Sequence, residues 1–219
     1  MSTHVLRCAD APVPIALAAQ PTSQTAAVPD TTLIDELLPV LAADSLPRLI
    51  VLGDDAALAA VLTHLMRTER LHVEVGYVPP DHTYAEQAYQ LGTGNAAARR
   101  ALDGRAEEVP LIRDDTGTVL VGRAKITGVN GTPLTGEAYV DETRLFSGEV
   151  RAMFVTPTLE LPGVRASVPR RFRRRRWAVG RAAQLGTPAA VINRDGVQSD
   201  RTVPRSSFYR HHEPWLLVR

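Results

Sequence analysis

The apolar positions change rhythm partway along the chain. From 31 to 103 they recur mostly at helical spacing, interrupted by short apolar runs. "TTLIDELLPVLAAD", 31–44, sets Leu33, Ile34, Leu37, Leu38 and Leu41 on one face and predicts a helix bent or split at Pro39. "RLIVLGDD", 48–55, is a brief apolar run stopped by glycine and aspartate, the pattern of a strand buried on both faces. A helix over 56–69 follows, with Leu58, Val61, Leu62 and Leu65 aligned. A strand is expected at 71–79, then helices at 82–90 and 95–103. Strands alternating with helices predict an α/β layer with a parallel sheet.

Beyond Pro110 the period drops to two. Short alternating runs are broken by turn signals, of which Asp115-Thr116-Gly117 and Asn130-Gly131 read as hairpin turns. Closing strands are expected at 177–183, 188–193 and 214–218. The second half therefore reads as antiparallel β, a sandwich or open barrel. Residues 1–30, rich in Ala, Pro, Ser and Thr, read as a weakly ordered leader with a short edge strand at 14–18. The expected organisation is a leader (1–30), an α/β lobe of parallel sheet and helices (31–109), and an antiparallel β-sandwich lobe (110–219), the function of the α/β lobe resting on the motifs below.

Composition narrows the chemistry. The 219 residues carry 25 basic and 24 acidic side chains, so net charge argues for neither nucleic acid nor membrane as a global partner. One cysteine, Cys8, precludes an internal disulfide and a cysteine zinc cluster, and fits a reducing cytoplasmic setting. Lys125 is the only lysine, so no Walker-type loop exists. No apolar run approaches the ~20 residues of a membrane-spanning helix.

Two turns carry candidate chemistry. "QLGTGNAAARRAL", 90–102, opens a helix with Gly92, Thr93, Gly94 and Asn95. Unpaired first-turn amides, the helix dipole and glycine's freedom at positive φ suit a phosphate, and Arg99 and Arg100 lie one turn in. The same residues also suit a plain tight turn with Asn95 as the cap. Upstream, Gly53-Asp54-Asp55 ends a strand and opens a helix. The acid pair could recruit magnesium or could simply cap the helix.

Strand, Gly-x-Asp, helix, strand, then "LGTGN" before another helix resembles the catalytic domain of the diacylglycerol kinase family of lipid kinases. The resemblance spans roughly 30–219 and includes "NRDGV", 193–197, near the place of the family's "DGE" turn. It implies ATP and Mg²⁺ as cofactors and transfer of the γ-phosphate to a diacylglycerol-type hydroxyl. By position it assigns Gly53, Asp55, Gly92, Thr93, Gly94 and Asn95 to the nucleotide, Asp54 and Asp55 to the metal, and Asp195 to the role of base. Against the family's "GGDGT", Asp54 stands for a glycine, Ala56 for a glycine and Ala57 for the threonine. Ala96 replaces the acid after the second turn, and Val197 the glutamate after the third. An inactive nucleotide- or lipid-binding regulator of the same fold is the alternative.

"RRFRRRR", Arg170–Arg176, packs six arginines into seven residues before Trp177. It reads as a solvated loop, then as a contact with anionic lipid headgroups, and third as a nucleic-acid-binding element. His211, His212 and Glu213 precede the last expected strand; on an extended chain neighbours face apart, which makes a shared metal site unfavourable.

Overall fold

The structure is a computed structural model that describes residues 3–41, 47–169 and 176–219, with Val40 and Leu41 described by backbone alone. The chain divides into two compact units, residues 1–109 with 213–219, and residues 110–212.

The first unit is a six-stranded sheet with helices. Its elements are β1 (Thr3–Cys8), β2 (Thr22–Thr25), α1 (Thr31–Leu41), β3 (Arg48–Leu52), α2 (Asp55–Arg67), β4 (Glu74–Val78), α3 (Tyr84–Tyr89), α4 (Gly94–Asp103) and β5 (Ala106–Val109). The last strand of the chain, β17 (Trp215–Val218), completes it, and the sheet order is β2-β1-β3-β4-β17-β5. All neighbours run parallel except β17 and β5. Every residue of β3 and β4 is buried, which is why both read as short unbroken apolar runs.

The alanines of α4 have a packing reason. Ala97, Ala98 and Ala101 join Val5, Ile50, Leu52 and Val78 in one core cluster. A Cβ on Gly76 would come within 2.8 Å of the Ala101 Cβ, so a glycine and an alanine let α4 sit close on β4. Arg48, 3% exposed, reaches the other end of this helix. Its guanidinium pairs with Glu74 at 2.6 Å and donates to the carbonyls of Ala101, Leu102 and Gly104. Those are the acceptors that a helix C-terminus leaves open.

The expected leader is corrected here. β1 lies inside the sheet between β2 and β3, with Val5 and Leu6 fully buried. Only six residues long and flanked by turn-rich sequence, it has too few positions to display a period. The edge strand expected at 14–18 is instead a 3-10 turn at Ile15–Leu17. The end of the helix expected over 31–44 lies outside the described residues.

The second unit is antiparallel throughout. Its strands are β6 (Ile112–Asp114), β7 (Val119–Leu120), β8 (Ala124–Thr127), β9 (Leu134–Val140), β10 (Thr143–Val150), β11 (Met153–Pro157), β12 (Val164–Ser167), β13 (Ala178–Gly180), β14 (Ala182–Arg194), β15 (Val197–Gln198) and β16 (Val203–Arg210). The path runs β13-β12-β11-β8-β14-β16-β6-β7, and β9 joins β14 and β10 beside it. Ile126, Leu134, Ala138, Val155, Ala166, Leu185, Ile192 and Phe208 belong to its core cluster.

Two expectations change in this unit. The separate strands predicted at 177–183 and 188–193 overlap one 13-residue strand, β14. Its register breaks between Gly186 and Ala190, so Pro188 sits at an irregularity where no ladder donor is required. Before the break β14 pairs with β9 and β16, and after it with β8, β15 and, at Ala190, still β16. Asn130-Gly131 is not a hairpin turn, because β8 and β9 have other neighbours and the pair lies in a 3-10 turn. Asp141-Glu142 is one, closing β9 onto β10.

Candidate functional site

The carboxyl ends of β1, β3 and β4 lie side by side, and the chain order reverses between β1 and β3. Ligands of open α/β sheets bind beyond such ends at such a reversal. Both glycine turns of the sequence lie here, and the structure gives them different work.

The first turn is short. β3 ends at Leu52 and α2 begins at Asp55, leaving Gly53 and Asp54 as the whole connection. A Cβ on Gly53 would lie 2.8 Å from the Cβ of Cys8 and 3.1 Å from that of Ala57, so this glycine serves close packing. Asp54 is the N-cap of α2 and accepts the Ala57 amide at 3.0 Å. Asp55 is 7% exposed and both its oxygens are engaged. One accepts the Tyr77 hydroxyl at 2.9 Å; the other accepts the amides of Tyr84 and Ala85 at 3.1 and 3.2 Å. The carboxylate thus staples α2, β4 and α3 together. Burial, and next the Asp55 charge, raise the Tyr77 hydroxyl above its ordinary pKa, so it stays a donor. The Cys8 thiol behind the turn is pushed up to about 12 by burial, with Asp54 adding to it.

Magnesium does not fit this arrangement. A hard cation takes six oxygen ligands in near-octahedral order. Here both Asp55 oxygens already serve the Tyr77 hydroxyl and two amides, so the Asp54 oxygen that does not cap the helix would be the pair's one available ligand out of six.

The second turn is held from behind and open in front. Gln90 ends α3 in the left-handed region at φ 57°, and Gly92 and Gly94 follow at φ 74° and 56°. Glu86, 8% exposed, accepts the Gly92 amide at 3.2 Å and pairs with His82 through its other oxygen at 3.1 Å. The Gly94 amide goes to Pro79 O at 3.2 Å. Arg100 turns back onto the carbonyls of Gln90 and Leu91, so it braces the turn; Arg99 is exposed.

Thr93 is the N-cap of α4, yet its side chain accepts no bond from the helix. The Asn95 and Ala96 amides are among the donors that a helix start leaves without an internal acceptor. A Cβ on Gly94 would meet nothing within 4 Å, so the backbone there borders open space. That space is a cleft of about 160 Å³ lined by Pro12, Pro14, Leu52, Val78, Pro79, Gly94 and Asn95 among others. The Asn95 carboxamide oxygen is taken by the Ala16 amide at 3.0 Å. A phosphate group fits such a cleft; whole small-molecule pockets run to roughly 300–1,000 Å³.

Asp195 lies in the second unit. It holds φ 48° in the turn before β15, and its carboxylate accepts the amides of Val121, Gly122 and Arg123 at 3.0, 2.8 and 2.9 Å. At 7% exposure it ties two turns together. Asp141 does the same for the amides of Arg181 and Ala182, and Asp114 for those of Thr116 and Thr118.

Glu86 and Arg100 were not assigned these bracing roles in the sequence. The signal for Glu86 was present: Thr83 and Glu86 stand at capping-box spacing, and Thr83 accepts the Glu86 amide at 3.0 Å. His211 and His212 contradict the extended-chain argument, since the strand ends at Arg210 and their rings lie 4.2 Å apart, centroid to centroid. Arg170–Arg175 lie outside the described residues; Arg176 is exposed. Among the described residues no helix is long and apolar enough to cross a membrane.

No family model and no curated protein matches the chain. Solved structures do. A diacylglycerol kinase of Bacillus anthracis str. Sterne is similar at 11% identity with a TM-score of 0.76, covering 99% of this chain and 96% of that one. An NAD kinase of Archaeoglobus fulgidus in complex with ATP is similar at 12% identity with a TM-score of 0.63, covering 100% and 94%. At these identities the likeness establishes the fold, a kinase-like one in which an α/β unit with a parallel sheet is joined to an antiparallel β unit.

Proposed function

We propose that this chain is a non-catalytic nucleotide-binding protein built on a kinase-like fold. The observation that carries the reading is the state of Asp55 and Asp195. Each is matched by resemblance to kinase chemistry, and each has both carboxylate oxygens engaged by donors of its own fold. Phosphoryl transfer needs charge stabilised around the γ-phosphate and a positioned group beside the nucleophile. Two stapled acids and a two-residue first turn supply neither.

Phosphate binding is a separate capacity. The Gly92-Thr93-Gly94-Asn95 turn, the α4 N-terminus and the adjoining cleft support it, with ATP the nucleotide favoured by the ATP-bound neighbour of the same fold. In this reading the Thr93 hydroxyl and the Asn95 and Ala96 amides contact the phosphates, Gly92 and Gly94 shape the backbone that presents them, and Gly53, Asp54 and Asp55 hold the neighbouring turn closed.

A thermal-shift titration tests binding. ATP is expected to raise Tm progressively with its concentration, with or without Mg²⁺, the added stability being about 2.7 kcal/mol at a hundredfold excess over Kd. The absence of any shift refutes nucleotide binding. Incubation with labelled ATP and diacylglycerol-containing vesicles tests the other half. Label in the lipid would establish the second reading, an active lipid kinase, which the likeness to a diacylglycerol kinase favours.

A further inference from the structure

A larger cleft lies within the second unit, on the face of the sheet turned away from its core. Alternation along each strand separates the two faces. Ala124, Ile126, Met153, Val155 and Ile192 point into the core cluster. Lys125, Thr127, Phe154, Val191 and Asn193 line the cleft on the opposite face. The register sets four of the lining residues in one row across neighbouring strands: Phe154 on β11 beside Lys125 on β8, Lys125 beside Asn193 on β14, and Asn193 beside Gln198 on β15. At roughly 4.8 Å between strands, that row is about the length of a small ligand. Arg151, Asn130 and Pro169 are also among the lining residues, and the volume is about 870 Å³.

The lining is one-signed. It includes two cations, Lys125 and Arg151, and no carboxylate among the described residues. Both cations border the one cleft, so an anion placed in it would lie in a positive potential. Phe154 is only 8% exposed and carries the Arg123 guanidinium over its ring at 5.1 Å, so the floor is fixed. Asn193 donates one amide hydrogen to Gly196 O at 3.1 Å, which orients its carboxamide. Thr127, Asn130 and Gln198 add neutral hydrogen-bonding groups.

We propose that this face binds a phosphate monoester carrying hydroxyl groups. At neutral pH a monoester bears about −1.5 to −2 charge and presents three strong acceptors, which matches two cations. The amides and the threonine hydroxyl pair with the ligand's hydroxyls. Such a group comes either from a soluble molecule or from a lipid headgroup. The site is independent of the nucleotide reading, and none of its residues belongs to the first unit.

Isothermal titration with glycerol 3-phosphate tests the soluble source. Co-sedimentation with phosphatidylcholine vesicles carrying phosphatidylinositol 4-phosphate tests the lipid source. Lys125→Gln and Arg151→Gln are compared with Arg205→Gln, which removes the same charge from an exposed position on β16. Circular dichroism verifies that each variant is folded, and the ATP thermal shift is expected to match the parent in all three. Saturable binding to either probe, weakened roughly tenfold by Lys125→Gln and by Arg151→Gln but unchanged by Arg205→Gln, is the expected result. Binding to neither probe, or equal weakening by Arg205→Gln, overturns the proposal.

Discussion

The turns at 53–55 and 92–95 share one grammar: a strand or loop ends in glycine, polar residues follow, and a helix begins. Their physics differ. At the first, two residues join β3 to α2, and the acids there turn inward to cap a helix and staple three elements. At the second, Glu86 and Arg100 hold the turn from behind, and the front borders open space. A glycine turn binds an anion only where its donors remain unspent. Which donors are spent is decided by side chains outside the turn.

The contrast can be broken by substitution. Asp55→Ala carries the largest expected effect. It strands the Tyr77 hydroxyl and two amides, costing about 3 kcal/mol or more in urea unfolding, while the ATP shift, scaled to the variant's own Tm, persists. A loss under about 1 kcal/mol would mean that water replaces the staple and that the first turn is open after all.

The two glycines should then separate stability from binding. Gly53→Ala drives a methyl group into Cys8 and Ala57, with an expected loss of roughly 1–3 kcal/mol and ATP response retained. Gly94→Ala meets no atom, so its cost is the left-handed backbone alone, about 1 kcal/mol, but its methyl group enters the open space. The ATP shift is expected to vanish in that variant. Reversal of the pattern between the two would sink the assignment of packing to one turn and binding to the other.

The smallest effect concerns the first turn at alkaline pH. Burial raises the Cys8 thiol to about 12. A group whose folded pKa is raised contributes stability that is fully present below its unfolded pKa, about 8.5 for a thiol, and lost as pH rises toward the folded value. Cys8→Ala should therefore flatten part of the stability loss between those limits. A maleimide is expected to label the native protein at pH 8 only as fast as it opens; rapid labelling would show that the floor of the first turn is not closed.

Particular elements mark how far the sequence could be read. β3 and β4 were legible because strands buried on both faces leave unbroken apolar runs. α2 was legible because Leu58, Val61, Leu62 and Leu65 repeat over about two turns and all four are buried. β1 was not, since its six residues lie in a stretch whose composition matches that of a loop. β14 was read within two strands, 177–183 and 188–193, because the register shift between Gly186 and Ala190 that lets one strand run through is set by its partners and not by its own sequence.

The amino-acid order by itself determined the change from helical to alternating period near residue 110, and with it an α/β part followed by an antiparallel one. Periodicity is local: it records which face of each element must leave water. The fate of the acids was decided only by the tertiary structure. Asp55 meets Tyr77 across 22 residues and the α3 amides across 29 and 30, and Asp195 meets its three amides across 72 to 74. A carboxylate's role depends on the donors that surround it, and no local pattern places donors so far away along the chain.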